Sequence, residues 1–227
     1  MSNASAALLL LVFASPLIWL ALRDHKALRL SRVGLLDGCA NVFDRCALTH
    51  DGDSFPRLSG RCGRRNVDVR LISDTMTIRR LPQLWLQVTM LDRVDVTSGL
   101  AVLVRPSGYE FYSLTTGYLH VLDTPPSFPS EVIVRSECAG ASKLLEKLTP
   151  SMARILEDPR VKEIAITPKG LRIMRQADEG RRGEYLLLRQ AVFDHAAVTA
   201  DALEAALAEL ETLRAAIEEN EREVLCA

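Results

Sequence analysis

The N-terminal segment constrains this chain more than any other feature, because Ala6–Leu22 (AALLLLVFASPLIWLAL) is apolar and carries no charge. At a helical rise of about 1.5 Å per residue, these 17 residues would extend roughly 26 Å, close to the ~30 Å hydrocarbon thickness of a bilayer. Four basic residues follow at once: Arg23, Lys26, Arg29 and Arg32. Positive charge on one side of an apolar run is typical of an anchor whose charged side faces the cytosol. The sequence therefore predicts a single-pass transmembrane helix in the inner (plasma) membrane, followed by a domain on the cytoplasmic side.

Two other interpretations of this apolar segment are weaker. A cleaved signal peptide carries positive charge before its apolar run, but residues 1–5 contain no Lys or Arg. A lipoprotein places its modified cysteine at the end of the run, whereas Cys39 lies beyond the basic residues. The membrane anchor remains the expected structure.

Length and charge set the expected domain organisation. Residues 1–32 form the predicted anchor with its basic collar, and residues 33–227 are long enough to bury a core of their own. The chain carries 28 Lys and Arg against 29 Asp and Glu, so no overall field would attract a nucleic acid. The sequence predicts a cytoplasmic α+β domain at 33–227, for which two halves, 33–140 and 141–227, are one conceivable division.

Basic residues are concentrated in two places, the collar and a second group after residue 60. The candidate surface for the membrane or for a protein partner consists of Arg23, Lys26, Arg29, Arg32, Arg61, Arg64 and Arg65. Residues 201–223, in contrast, are mainly acidic. The alternatives are a solvated face, or pairing of the basic and acidic regions within one molecule or between two copies in a homo-oligomer.

Hydrophobic periodicity predicts helices and strands in separate groups. Apolar residues at three-to-four residue spacing predict helices at 33–48 and 199–224, and either two short helices or one kinked helix at 142–156. Period-two patterns and turn residues predict strands at 57–61, 67–71, 84–91, 100–104, 110–114, 118–122, 131–135, 161–167, 171–175 and 185–191. Because the strands do not alternate singly with helices, the expected class is α+β with a mixed or antiparallel sheet and a C-terminal helix.

The predicted C-terminal helix carries one apolar stripe. The stripe consists of Leu203, Leu207, Leu210, Leu213 and Ile217. A strict heptad would bring Arg214 and Glu221 into the seam, so the period suits packing on the domain's own sheet better than a dimeric coiled coil. A dimer or partner interface remains the alternative.

The cysteines and histidines form no recognised metal motif. Cys39, Cys46, His50 and Cys62 could be counted as a zinc set, but six residues separate the first two cysteines, whereas structural zinc ligands come in closer pairs. The alternative is that Cys39 and Cys46 lie one face apart on an amphipathic helix and behave as small hydrophobic side chains. His120 lies among apolar strand residues and is expected to be structural.

The paired glycines lack the third glycine, or the following Lys-Ser/Thr, that a phosphate-binding loop needs. The sequence also contains no nucleophile elbow. The sequence therefore predicts no catalytic residue, no cofactor and no metal. One polar cluster remains, in which Asp74, Arg79 and Arg80 lie near Trp85. It is a candidate small-molecule site, although such a cluster also caps a hairpin or binds headgroups.

The stretches 55–60 (FPRLSG) and 73–89 (SDTMTIRRLPQLWLQVT) resemble a segment of uncharacterised, N-terminally anchored bacterial proteins. This resemblance implies a bacterial, membrane-tethered domain of unknown activity and adds no site residues. Two functions are compatible with the sequence. The first is a membrane-tethered, non-catalytic interaction or assembly module, and the second is a ligand-binding protein or hydrolase whose site assembles from separated residues. A pocket of convergent titratable residues would favour the second function.

Overall fold

The computed structural model describes residues 3–50, 55–76, 80–108 and 110–225. Within these residues the α-helices are α1 (Asn3–Val33), α2 (Ser142–Leu156), α3 (Arg182–Leu188) and α4 (Ala200–Leu225). The strands are β1 (Arg45–His50), β2 (Pro56–Cys62), β3 (Arg65–Asp74), β4 (Gln83–Met90), β5 (Leu100–Val104), β6 (His120–Leu122), β7 (Val132–Ser136), β8 (Val161–Thr167) and β9 (Gly170–Glu179). Short 3₁₀ helices lie at Asp37–Val42, Leu114–Gly117 and Ala139–Ala141.

The nine described strands form one sheet, in the order β1-β2-β3-β4-β9-β8-β5-β7-β6. Every neighbouring pair is antiparallel. The late hairpin β8–β9 lies between β4 and β5, so the strands of residues 33–140 and 141–227 belong to the same sheet. The predicted α+β class with an antiparallel sheet is confirmed.

The hairpin β2–β3 shows how local sequence sets this sheet. Leu58 pairs with Val69 and Arg61 pairs with Asn66, across a turn that contains Gly63. Gly63 has φ +58, a conformation that other residues adopt at a cost. The hairpin predicted from the alternating residues on both sides of this turn is confirmed.

The hydrophobic core lies between one face of the sheet and the helices α2 and α4. The α4 stripe is buried on α2, β4, β9 and the 3₁₀ helix at 37–42, with Leu203, Leu210 and Leu213 fully buried. Leu148 and Met152 of α2 fill the space beside it. The apolar stripe therefore packs within the molecule, as its 3.6-residue period predicts.

Three predicted elements are wrong. Residues 33–48 do not form one α-helix: a 3₁₀ helix covers Asp37–Val42, and Arg45–His50 pairs with the open edge of β2. Residues 110–114 do not form a strand, because the Glu110 carboxylate accepts backbone bonds from Ser107 and Gly108 and holds a loop. Residues 185–191 include a helical turn that ends at Arg189, whose φ is +54.

The predicted transmembrane helix is also wrong. The apolar run belongs to α1, which is 31 residues long and continues through Pro16. Across the part of the chain that the structure describes, no helix combines the length and the apolar character that crossing a bilayer requires. The physical reason is that α1 continues past the apolar run into a segment that carries Arg23, Asp24, Lys26, Arg29 and Arg32, and that Pro16 interrupts its backbone hydrogen bonding. The single-pass topology and the inner-membrane localisation that were predicted from this helix are overturned with it.

Candidate functional site

The second face of the sheet, away from α2 and α4, is polar. Along β3, Val67, Val69 and Leu71 point into the core, so the alternate residues Asp68 and Arg70 lie on the opposite face. Asp68 is buried there between two arginines, accepting from Arg57 at 2.6 Å and from Arg70 at 2.8 Å. Charged side chains on this face are therefore organised by mutual pairing rather than by solvent alone.

A cavity of about 380 Å³ opens on this polar face. Its walls come from the adjoining ends of β3, β4 and β9, from β8 and from the loop after β5. The lining residues are Asp74, Arg80, Gln83, Trp85, Arg105, Ser107, Tyr112, Lys162, Gln176 and Glu179. Six of these ten lining residues are titratable, including Tyr112.

Lys162 is a buried cation in this wall. Its side chain is 6% exposed, and its Nζ donates to Glu110 Oε1 at 2.9 Å and to the Arg105 carbonyl oxygen at 2.7 Å. The Nζ also lies 5.8 Å from the centre of the Trp85 ring. Burial lowers the pKa of Lys162, while its hydrogen bond to Glu110 acts in the opposite direction. Lys162 is thus held in place as a paired ammonium.

Glu110 ties the loop after β5 to this lysine. Its carboxylate accepts from the Ser107 hydroxyl at 2.7 Å, from the Gly108 amide at 2.9 Å and from Lys162. Burial alone would raise the pKa of Glu110, but the hydrogen bonds from Ser107 and Lys162 outweigh it and lower the pKa to about 2. The carboxylate is therefore ionised at neutral pH.

Arg105 adopts an unusual backbone conformation at the cavity wall, with φ +50. A non-glycine residue in this region costs about 1–3 kcal/mol and persists only where its surroundings enforce it. Here the Arg105 Nη2 donates to the carbonyl oxygens of Val161, at 2.8 Å, and Pro159. The strain aims the Arg105 carbonyl at Lys162, so backbone conformation and ion pair depend on one another.

Two aromatic rings form the other wall. The rings of Trp85 and Tyr112 are 5.9 Å apart and tilted, and the Tyr112 hydroxyl lies 3.5 Å from Asp74 Oδ2. Burial raises the pKa of Tyr112, which keeps the phenol protonated. Trp85 is buried, yet its Nε1 has no hydrogen-bond partner among the described residues.

A second buried carboxylate, that of Glu163, holds the 113–117 segment against this face of the sheet. Glu163 is fully buried and accepts from the Ser113 hydroxyl at 2.6 Å, from the Leu114 amide at 2.9 Å and from Arg172. These bonds attach the 113–117 segment to the middle of the sheet. The loop that carries the lining residue Tyr112 is thereby held on both sides, at Glu110 and at Glu163.

The structure brings together part of the predicted polar cluster. Asp74, Arg80 and Trp85 line one cavity, whereas Arg79 lies outside the described residues. Sequence reasoning missed Lys162, Arg105 and Tyr112. One signal was available, because Lys162 and Glu163 interrupt the apolar strand VKEIAIT, where adjacent charges require buried partners.

The residues of the candidate basic surface lie on different elements. On α1, Arg23 stacks over Trp19 at 5.7 Å, and Arg32 lies over Phe55 at 4.6 Å. At the β2–β3 turn, Arg64 is exposed and Arg61 donates to the Gly63 carbonyl. Lys26 and Arg29 also lie on α1.

Arg65, in contrast, forms a forked pair with Glu211 of α4, at 2.8 and 3.2 Å. This hydrogen bond to Glu211 raises the pKa of Arg65. At this position the basic and acidic regions pair within one molecule.

The cysteines that could have formed a zinc set are separated by environment. Cys39 is buried in the core, where burial raises the pKa of its thiol to about 11, whereas Cys46 and His50 lie on the exposed strand β1. In the described ranges no three His, Cys, Asp or Glu residues are placed to hold a metal ion together. His120 is exposed on the edge strand β6.

Comparisons with known proteins give little further information. No family model and no curated protein matches the chain. The crystal structure of the mycobacterial trehalose monomycolate transport factor A, TtfA, is similar at a TM-score of 0.43 and 8% identity, over 83% of this chain and 93% of that chain. A similarity of this size supports no statement about the function of this chain, and the resemblance of residues 55–89 to anchored bacterial proteins stays a prediction.

Proposed function

We propose that this chain is a small-molecule-binding protein and that the cavity at Trp85 is its site. The observation that supports this most is the convergence of Asp74, Arg105 and Lys162, which come from separate parts of the chain, on one cavity with an unsatisfied indole N–H. A buried donor without a partner costs free energy, and a ligand acceptor placed beside it would remove that cost.

The lining favours binding over hydrolysis. Among the described lining residues there is no His or Cys, and the Ser107 hydroxyl is committed to Glu110. A serine nucleophile requires an adjacent general base that can take its proton, whereas the Glu110 carboxylate is already held by Lys162 and two backbone amides. The site is suited to hold a polar ligand between charges and aromatic rings.

Trp85 itself provides the test. The chain contains two tryptophans, so a Trp19→Phe variant reports on Trp85 alone. We expect its fluorescence to shift saturably with at least one compound from a library of anionic, cationic and neutral metabolites. The matched Trp85→Phe variant, which retains the α1 tryptophan, should show no such shift. If no compound changes the Trp85 emission or the melting temperature, the proposal is wrong.

A second candidate function is an interaction or assembly module, and the exposed side chains of α1 favour it. Ile18, Trp19 and Leu22 are all more than half exposed. We propose that two copies pair through these residues in antiparallel fashion, since that arrangement keeps the basic ends of the two α1 helices apart. Light scattering should give a dimer mass that Ile18→Glu/Leu22→Glu reduces to a monomer mass, while Leu187→Glu on α3 leaves it unchanged. A monomeric wild-type protein would exclude this pairing of two copies.

A further inference from the structure

Hydrogen-bond capacity at the cavity is unequal, and this indicates the class of ligand. The acceptor side chains already accept bonds: Asp74 from the Met76 amide and Tyr112, and Glu179 from Gln83 at 3.1 Å. The Gln83 carbonyl in turn accepts from Gln176. Each lining carboxylate therefore already has at least one donor.

The donors, in contrast, have spare capacity. Trp85 Nε1 has no partner, and Lys162 uses two of its three N–H groups, on Glu110 and on the Arg105 carbonyl. Arg80 is exposed at the rim, and among the described residues none forms an ion pair or hydrogen bond with its guanidinium. Two donor groups of the described lining residues, Trp85 Nε1 and the Arg80 guanidinium, are thus without any acceptor.

Resting on the proposed function above, we propose that the ligand presents an oxyanion, a carboxylate or a phosphate, to Trp85 Nε1, Lys162 Nζ and the Arg80 guanidinium. An oxyanion offers several acceptor lone pairs and matches the guanidinium fork. Glu110 balances the charge of Lys162, and carbonyl oxygens occupy the Arg105 guanidinium, so Arg80 is the described lining cation left open to a negative group. Binding would satisfy the indole N–H that the protein alone leaves buried without a partner.

Each polar residue then has a distinct task. Arg80 at the rim attracts the oxyanion and binds it through two hydrogen bonds. Lys162, which is buried and held by Glu110 and Arg105, determines the position at which the oxyanion binds. Trp85 and Tyr112 offer ring faces to the remainder of the ligand. The Asp74 carboxylate on the same wall would repel a second negative group, so a ligand with one charged end fits best.

The Trp19→Phe protein tests this class directly with inorganic phosphate, succinate, ethanolamine and glycerol at constant ionic strength. We expect a saturable change in Trp85 emission and a raised melting temperature with at least one anion, and none with ethanolamine or glycerol. The stronger anion identifies the headgroup as phosphate or carboxylate. Arg80→Gln should raise the Kd for that anion at least tenfold, whereas Arg64→Gln, an exposed arginine at the far end of β3, should leave it unchanged.

The outcomes separate this inference from the proposed function. Binding of ethanolamine or glycerol but of neither anion would overturn the oxyanion class and leave ligand binding intact. Absence of binding by any probe or library compound would overturn both. Equal anion affinity in the wild type and in Arg80→Gln would remove Arg80 from the site.

Discussion

The two faces of the sheet are held by different forces. The face under α2 and α4 is apolar, and each fully buried Leu there contributes about 1.5–3 kcal/mol through removal from water. The opposite face is organised by buried charges such as Lys162 with Glu110 and Arg172 with Glu163. Burial of apolar surface is non-directional, whereas each buried charge on the polar face needs a hydrogen-bonded partner. The candidate site therefore lies on the face whose side chains are positioned by ion pairs.

The largest expected effect comes from placing a charge on the apolar face. Leu210 is fully buried in the α4 stripe, so Leu210→Glu should destabilise the protein by more than about 4 kcal/mol or prevent folding. Thermal melts followed by circular dichroism measure this. Leu187→Glu is the matched control, because Leu187 is 84% exposed and should change stability little. A folded Leu210→Glu protein with an unchanged melting temperature would contradict the intramolecular packing of α4.

Removing one partner of a buried ion pair should have the next largest effect. Lys162→Met leaves the Glu110 carboxylate buried without its cation, at an expected cost of about 3–5 kcal/mol in urea unfolding. The double variant Lys162→Met/Glu110→Gln should lose less than the sum of the two single variants, because the unpaired charge is gone. Additive losses would mean that the two residues are not coupled.

Lowering the pH should reduce the stability that ion pairs on the polar face contribute before it affects the burial of apolar side chains on the other face. The pKa of Glu110 is lowered from 4.5 to about 2, so its ionised form contributes stability that is complete above the unfolded value and is lost as the pH falls through the folded value. We expect up to about 3 kcal/mol to disappear between pH 4.5 and 2, at 1.36 kcal/mol per pH unit. Urea titrations across this range measure it. Glu110→Gln should flatten the dependence, and an equally steep curve in that variant would assign the loss to other groups.

The smallest effect is expected at the edge of the apolar face. Arg65 and Glu211 tie the β2–β3 hairpin to α4, but their side chains are 28% and 45% exposed. Solvent screening limits such a pair to about 0.5 kcal/mol, so Arg65→Gln should barely shift the urea midpoint. A loss of stability as large as that expected for Lys162→Met would mean that buried and partly exposed ion pairs contribute equally.

The apolar face could be predicted from sequence because its signal is local. The α4 stripe, the β2–β3 hairpin and most strands follow from periodicity and turn residues that lie close together in the chain. The polar face could not, because Glu110 meets Lys162, and Ser113 meets Glu163, across about fifty positions. The cluster of Asp74, Arg80 and Trp85 was predicted because these residues are near neighbours in sequence, whereas Tyr112 and Lys162 reach the same cavity only through the fold.

The position of β8–β9 has a consequence for how the chain is made. Synthesis delivers β1–β4 and then β5–β7 before residues 161–179 exist, so the two early groups cannot join until the last hairpin arrives between them. Until then the hydrogen-bonding edges of β4 and β5 are both open, and open edges attract other chains. Assembly must therefore wait for contacts between distant parts of the chain, which slows folding. A nascent chain that stops near residue 140 would expose the unpaired edges of β4 and β5 to other chains. In the finished protein both edges are paired in the middle of the sheet.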